Sequence, residues 1–187
     1  MRFLTFGLLG VALQAAAYTP LNVTAITTRD GYSVLECWQI ESVPVEARAA
    51  INYEFGGDLT RAEWSIIKPR TTVGEAWAPA VQLTVIMNGL IRITSPAPQN
   101  SSRAMPLPDS DAPQRPETTV AYIQPGTVSS SLVIAADLKN TSIHAGHFTE
   151  FPGDEPTVLL QVPWAGNIAP KYRVLGDGPC EKGAWTF

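Results

Sequence analysis

Two cations that could do chemistry lie at the end of an alternating run, residues 64–70 (WSIIKPR). Alternate side chains of a β-strand share a face, so we expect Trp64, Lys68 and Arg70 on one side. If that face lines the mouth of a barrel, the two cations would hold a carbonyl or enolate-like oxygen and activate an electron-poor diene. The alternative is that Lys68 and Arg70 are solvated charges at a strand end.

The two histidines of the chain, His144 and His147, are a weak basis for a metal site. Three residues apart on a loop, they could reach one ion, with Glu150 and Asp154 as the nearby carboxylates. Two neutral nitrogens without a third positioned ligand bind a metal poorly. No metal is therefore expected, and His147 is interpreted as a structural or substrate-facing side chain.

Five side chains are candidates for holding an apolar ligand: Trp38, Trp64, Trp77, Gln82 and Gln161. Aromatic rings supply large apolar surfaces that suit a terpene or polyketide, although ordinary core packing also accounts for tryptophans. The two glutamines lie inside apolar strand runs, where a polar side chain must face solvent, a cavity or a hydrogen-bond partner.

Other reaction classes lack their motifs. No serine stands in a G-x-S-x-G setting, and no glycine-rich loop of the phosphate-binding type occurs. Acidic residues number 17 against 13 basic ones, and the basic residues form no stripe. Hydrolase and nucleotide chemistry are therefore disfavoured, and nucleic acid is not expected as a partner.

Short strands must position these side chains. Runs rich in Val, Ile, Thr and aromatic residues, bounded by Gly, Pro, Asn and Asp, predict strands at residues 33–40, 62–67, 81–94, 119–124, 131–136 and 157–162. Asn88-Gly89 predicts that residues 81–87 and 90–94 form an antiparallel hairpin. Residues 45–51 are the best candidate for a short helix. Many short strands joined by turns indicate an all-β sandwich or barrel.

The N-terminus predicts entry into the secretory pathway. Residues 1–17 combine Arg2, an apolar core of about ten residues and an A-x-A-like end, the pattern of a cleavable signal peptide. A buried N-terminal helix is the alternative. The apolar core is shorter than the roughly 20 residues that cross a bilayer, and no later run is longer, so stable membrane insertion is not expected. The destination is the outside of the cell or a vesicular or vacuolar lumen.

Covalent features agree with that route. Asn22, Asn100 and Asn140 each begin an Asn-x-Ser/Thr acceptor without proline, and we expect them on exposed loops or strand ends. Cys37 and Cys180 form an even pair, for which a disulfide is the default in an oxidising compartment. A thiol nucleophile is the alternative for one of them.

The mature chain, residues 18–187, is expected to be a single domain. Residues 95–118 (SPAPQNSSRAMPLPDSDAPQRPET) are rich in proline and poor in large apolar side chains. They predict a mobile loop between two strands, either a plain linker or a lid over a site.

Three blocks carry a resemblance to a known family: ECWQ at residues 36–39, GHFTEFPGDEPTVLLQVP at 146–163 and DGPC at 177–180. Together with KPRTTVGEAW at 68–77, they resemble small secreted fungal cupin-like proteins over nearly the whole mature chain. The resemblance implies a jelly-roll fold and a disulfide that ties the first block to the last. Trp77 stands where metal-binding cupins place a histidine, which argues against dioxygenase chemistry.

That group includes the hetero-Diels–Alderases of tropolone–sesquiterpene biosynthesis. The resemblance therefore implies a cofactor-free cyclase that joins a tropolone o-quinone methide to a humulene-type sesquiterpene. Lys68 and Arg70 would polarise the tropolone oxygens, His147 would assist loss of water, and the tryptophans would hold the hydrocarbon. The expected partners are small apolar polyketide and terpene substrates, with a homodimer formed through an exposed strand edge. The rival functions are a non-catalytic small-ligand or glycan-binding protein and, third, a metal-dependent cupin enzyme.

Overall fold

The chain folds into β-sheets. The computed structural model describes residues 20–47, 50–97, 117–126 and 130–180, and within these ranges it has thirteen strands, one 3-10 turn (Ala165–Asn167) and no α-helix. The predicted signal peptide, Asn100 and residues 98–116 of the Pro-rich segment lie outside the described residues. The strands are β1 (Asn22–Arg29), β2 (Tyr32–Ile40), β3 (Val45–Ala47), β4 (Ala50–Asn52), β5 (Glu63–Ile67), β6 (Thr71–Ala76), β7 (Gln82–Asn88), β8 (Ile91–Pro96), β9 (Thr118–Ile123), β10 (Leu132–Ala135), β11 (His147–Phe151), β12 (Thr157–Pro163) and β13 (Tyr172–Asp177).

Two sheets form the body of the protein. The large sheet has seven strands in the order β13-β2-β1-β10-β7-β12-β5, and the small sheet has four in the order β6-β11-β8-β9. β3 and β4 pair only with each other. The strand pairs of the described residues are antiparallel except for β1 with β10, which run parallel at the centre of the large sheet.

An inner core fills the space between the two sheets. Ile26, Leu35 and Leu159 of the large sheet pack with Ile93 and Phe151 of the small sheet in one buried cluster. Each of these strands alternates buried inner residues with residues of the opposite face, as a sheet covered on one side by a partner sheet requires. Burial of these side chains is the main force that holds the sheets together.

An outer core lies on the opposite face of the large sheet. Val23, Trp38 and Ile134 alternate with inner-core positions along their strands, and they are buried by Phe55 and Trp164. Residues of the β4–β5 and β12–β13 connections therefore cover one region of the large sheet from outside. This cover is the part of the fold that builds the groove described below.

The prediction of an all-β fold with one disulfide is confirmed. The predicted runs at residues 33–40, 62–67, 119–124, 131–136 and 157–162 correspond to β2, β5, β9, β10 and β12. The jelly-roll connectivity and a homodimer stay predictions. β1, β6, β11 and β13 were not among the predicted strands.

The predicted hairpin at Asn88-Gly89 is wrong. β7 and β8 are strands as expected, but β7 belongs to the large sheet and β8 to the small one. The Asn88 side chain donates a hydrogen bond to the Pro156 carbonyl, 2.8 Å away, and Gly89 packs against Thr157. The Asn-Gly turn is thus a corner that carries the chain from one sheet to the other.

The short helix predicted at residues 45–51 is also wrong. β3 and β4 occupy this segment and pair antiparallel, with Val45 opposite Asn52. The described side chains of β3 and β4 are exposed. An amphipathic helix in this segment would therefore have no protein surface on which to bury its apolar side.

The disulfide joins Cys37 of β2 to Cys180, three residues past the end of β13, with a Cα–Cα distance of 4.6 Å. β13 is an edge strand that pairs with β2, so the disulfide fixes this edge at its far end. Arg29 reinforces the same region, since its guanidinium pairs with both Glu36 and Asp177.

Candidate functional site

A groove of about 860 Å³ opens on the outer side of the protein. Three segments supply its walls, residues 41–45, 54–58 and 165–171. Its apolar lining includes Phe55 and Ile168, and Ile168 is largely exposed. A volume of about 300–1,000 Å³ is typical of sites that bind small organic molecules.

The outer core supports the groove from below. Trp164 is buried, and its indole Nε1–H donates to the Gly56 carbonyl at 2.8 Å. The Phe55 ring lies against the same indole, with ring centroids 6.4 Å apart. Gly57 adopts a φ of 76°, and a Cβ there would lie 2.9 Å from the Trp164 ring. Only glycine therefore allows the chain to pass this close to the tryptophan.

Backbone and side-chain hydrogen bonds tie the walls together. The amide of Glu41 donates to the Lys171 carbonyl at 2.9 Å, and the amide of Ala165 donates to the Asp58 carbonyl at 2.7 Å. The Ser42 hydroxyl accepts a hydrogen bond from the Glu54 amide at 2.9 Å, which closes the base of the β3–β4 hairpin. The walls are thus connected to the ends of β2, β12 and β13 rather than hanging free.

The charged groups of the groove are Glu41, Glu54, Asp58 and Lys171. None of them takes part in the ion pairs found within the described residues. The ammonium group of Lys171 can therefore donate to a carbonyl oxygen of a ligand, and the carboxylates can accept from hydroxyl groups. Across the described residues, no group of three His, Cys, Asp or Glu side chains is placed to hold a metal ion.

Trp64, Lys68 and Arg70 lie outside the groove. The outward side chains of β5, an edge strand, are open to solvent, with Trp64 59% exposed. Arg70 is an exposed side chain that pairs with the equally exposed Asp154 at 2.7 Å. The structure therefore gives Lys68 and Arg70 the alternative role, that of solvated charges at a strand end.

Trp38 is part of the outer core and does not reach the groove. Its ring stacks on Tyr172 with centroids 3.5 Å apart and planes 7° from parallel. Its indole N–H donates to Glu36 Oε2 at 2.7 Å, and only 1% of the side chain is exposed. Since both ring faces and the polar edge are occupied inside the protein, Trp38 has a structural role.

Gln82 and Gln161 share the inner side of the large sheet. Gln82 pairs with Pro163 in register, and Gln161 lies two residues before Pro163, so their side chains share a face. Gln161 accepts a hydrogen bond from Ser65 at 3.0 Å, and Gln82 is buried. Of the choices open to a polar strand residue, Gln161, which is only partly buried, takes a hydrogen-bond partner.

His147 belongs to a buried polar network at one end of the inner core. Its Nδ1 lies 2.5 Å from Oδ2 of Asp137, and the Ser33 hydroxyl donates to the same oxygen at 2.6 Å. The neighbouring Trp77 donates its indole N–H to the Ser142 carbonyl at 2.9 Å. Both Ser33 and His147 bond to the carboxylate rather than to each other, so the arrangement is not that of a serine nucleophile with its base.

The predicted catalytic residues do not converge on one cavity. Arg70 immediately precedes β6 and Trp77 immediately follows it, so about 20 Å of extended chain separates them. The His147 network contacts β2 at Ser33, whereas the groove begins at Glu41, beyond the other end of that strand. The structure brings Trp77 and His147 together and leaves Lys68 and Arg70 at the far end of β6.

The glycan acceptors differ in exposure. Asn140 lies exposed in a turn after β10, as expected. Asn22 stands at the start of β1 but is only 5% exposed, and its Oδ1 accepts a hydrogen bond from Gln39 at 3.2 Å. The expectation of an exposed acceptor is therefore wrong for Asn22, because its side chain lies on the inner face of the large sheet, the face of Ile26 in the same strand.

The groove residues were missed at the level of sequence. They lie in connections without hydrophobic periodicity. The sequence features that could have indicated them are weak: the Gly56-Gly57 pair and, far along the chain, Ala165-Gly166 after a predicted strand. Which connections meet in space depends on the order of strands in the sheet. That order could not be read from the sequence.

No model of a protein family, no curated protein and no solved structure matches this chain. The resemblance to cupin-like proteins consequently rests on the sequence blocks alone. In the part of the chain that the structure describes, no helix has the length and apolar character needed to cross a membrane.

Proposed function

We propose that the groove binds a small, mainly apolar molecule and that the protein acts there as a cofactor-free hetero-Diels–Alderase. The observation that carries the proposal is the groove itself, with its volume of about 860 Å³, its apolar lining and its few charged groups. The resemblance of the sequence blocks supports the choice of reaction, and the volume and apolar lining of the groove support the choice of this site.

The reaction needs no oxidant, reductant or leaving group. A tropolone o-quinone methide contributes a four-atom C=C–C=O unit, and a humulene-type alkene contributes two carbons. One C–O bond and one C–C bond form as three π bonds are converted into one π bond and two σ bonds, so all atoms are retained. The protein accelerates such a step mainly by holding both reactants in contact and correctly oriented.

Lys171 takes the role that the sequence suggested for Lys68 and Arg70. An ammonium group that donates to the carbonyl oxygen of the heterodiene stabilises the charge that develops on this oxygen in the transition state. Phe55 and Ile168 would pack against the hydrocarbon partner. No step is assigned to His147, because its Nδ1 is bonded to Asp137 and the side chain is buried.

The test is to incubate the purified protein with both precursors and to measure the rate and stereochemistry of adduct formation. We expect Lys171→Met to slow the reaction roughly tenfold, as loss of one such donor costs about 1.4 kcal/mol or more. Lys68→Met is the matched control, since it removes an exposed lysine outside the groove and should leave the rate unchanged. Equal rates for both variants, or no acceleration by the wild type, would contradict the proposal.

A non-catalytic binding function is the second candidate, favoured by the three carboxylates Glu41, Glu54 and Asp58 in the groove. Their oxygens accept hydrogen bonds from hydroxyl groups, which a hydrocarbon lacks. Calorimetric binding of a hydroxylated ligand that Phe55→Ala weakens, without any acceleration of the cycloaddition, would favour this candidate over the cyclase.

A further inference from the structure

The outward face of the small sheet carries two exposed aromatic rings beside an ion pair. Tyr122 of β9, Arg92 of β8 and Glu150 of β11 stand in one row across the strands, since Tyr122 pairs with Arg92 and Arg92 with Glu150. Phe148 lies on the same face, two residues before Glu150. We call these four side chains the aromatic platform.

The rings of the platform are open to solvent. Tyr122 is 58% exposed and Phe148 is 47% exposed, while their neighbours in sequence, Ala121 and His147, are buried on the inner side. An exposed aromatic ring contributes no burial to the core, and only exposed apolar groups that share one patch point to an interaction surface. Two of them on one face of a four-stranded sheet are consistent with a binding surface.

The polar centre of the platform is preorganised. Arg92 Nη1 donates to Glu150 Oε2 at 2.5 Å, and this hydrogen bond, together with the charge of Glu150, raises the pKa of Arg92 above its ordinary value. The ion pair holds both groups in place while each keeps exposed surface. The remaining carboxylate lone pairs and the remaining Nη–H groups of Arg92 can bond to hydroxyl groups, whereas its Nε is buried.

The spacing of the rings sets the size of the ligand. Tyr122 and Phe148 are two strands apart and offset by two residues, which places their Cα atoms about 12 Å from each other. A ligand that contacts both rings and the ion pair between them must be extended and must carry apolar faces and polar edges along its length.

We propose that the aromatic platform is a carbohydrate-binding site that takes an oligosaccharide chain along its length. The C–H faces of a sugar ring carry slight positive charge and pack on the negative faces of aromatic rings. The sugar hydroxyl groups at the ring edges bond to Arg92 and Glu150. This site lies on the small sheet, apart from the groove on the large sheet, and does not depend on the function proposed for the groove.

Charge argues against two other partners. Glu75 lies beside Phe148 on the neighbouring strand, so the face carries two carboxylates against one guanidinium. The chain as a whole has a net charge of −4. Nucleic acids and anionic lipid surfaces are attracted by clusters of Lys and Arg, which this face lacks. A neutral polysaccharide meets no such repulsion.

The experiment is a depletion assay of the full mature protein on insoluble cellulose, chitin, β-1,3-glucan, mannan, xylan and starch, followed by calorimetry with the soluble hexasaccharide of the best binder. Wild type is expected to bind at least one of them. Tyr122→Ala and Phe148→Ala are each expected to weaken binding roughly tenfold, and Tyr122→Phe, which keeps the ring, should retain most of it. Trp64→Ala is the matched control, since Trp64 is an equally exposed aromatic residue on a strand of the other sheet.

Several outcomes would overturn the proposal: no binding to any polysaccharide, equal weakening by Trp64→Ala, or binding unaffected by Tyr122→Ala and Phe148→Ala. Sedimentation with phosphatidylserine vesicles through the same rings would overturn it in favour of a lipid surface. Phe55→Ala, in the groove, should leave polysaccharide binding unchanged, so failure here is separate from failure of the cyclase proposal. Unchanged circular dichroism of each variant confirms that binding, not folding, is measured.

Discussion

Nδ1 of His147 lies 2.5 Å from Oδ2 of Asp137, a carboxylate with no exposure to solvent. The same carboxylate accepts the Ser33 hydroxyl at 2.6 Å, and its Oδ1 faces the Ala78 amide at 3.4 Å. Asp137 therefore joins β2 of the large sheet, β11 of the small sheet and the connection between β6 and β7. These hydrogen bonds connect the two sheets at one end of the inner core.

Replacement of Asp137 should destabilise the protein strongly. Asp137→Ala leaves Ser33 and His147 buried without their acceptor, which should lower the free energy of unfolding by about 3–5 kcal/mol. Ser33→Ala removes only one hydrogen bond and should cost about 1 kcal/mol. Urea denaturation at neutral pH measures both variants. A loss below about 1 kcal/mol for Asp137→Ala would show that the network contributes little.

Removal of the disulfide should lower stability without changing the fold. The Cys37→Ser and Cys180→Ser double variant should lose about 2–5 kcal/mol, because the unfolded chain is no longer closed across 143 residues. The denaturation midpoint of the wild type in reductant should match that of the double variant in the absence of reductant. A wild-type midpoint that reductant does not shift would contradict this prediction.

Stability should fall in alkaline solution through Tyr172. Burial, followed by the nearby charge of Glu36, raises the pKa of this phenol above its ordinary value of 10.0. The folded state then holds the proton more tightly than the unfolded state, so stability is complete below about pH 10 and declines as the pH rises toward the folded pKa. Tyr172→Phe keeps the stack on Trp38 and should reduce the decline. Urea midpoints from pH 8 to 11 compare the two proteins, and identical slopes would count against it.

The corner at Gly89 should tolerate no side chain. Gly89 has a φ of 89°, and a Cβ there would lie 2.8 Å from the Thr157 Cα. Gly89→Ala therefore adds a clash to the backbone strain of about 1–2 kcal/mol. Gly74→Ala is the control, because Gly74 has a φ of 84° with open space around its Cβ position. Thermal unfolding should show a larger loss for Gly89→Ala, and equal losses would mean that Thr157 moves aside.

Strand type could be predicted where apolar side chains repeat within a short run, as in β2 and β12. The sequence of β1 (NVTAITTR) is rich in Val, Ile and Thr, as strands are, but its place at the centre of the large sheet depends on pairing with the distant β10, which no local pattern shows. Asn88-Gly89 was misread because a turn motif encodes a change of direction. Whether the two strands then pair with each other depends on the other strands available to each of them. Here the turn itself contacts Pro156 and Thr157, next to and within β12.

The site was harder to predict than the fold for a physical reason. Residues of the three family-like blocks, such as Glu36, His147 and Asp177, are bonded within the frame of the protein. They identify what holds the sheets together. The groove instead combines Phe55 and Lys171 from connections that are distant in sequence, and no local pattern records their proximity.

The parallel pair at the centre of the large sheet has a consequence for the order of folding. β1 and β2 are neighbours in sequence and can pair early, but Thr24 meets Val133 only across more than 100 residues. Parallel pairing of such distant segments is slow, because the entropy of closing the loop is lost before the contacts form. During synthesis, one side of β1 thus stays an unpaired strand edge until β10 leaves the ribosome. In that interval this edge can pair with another chain, and a chaperone that shields it would raise the yield of native protein.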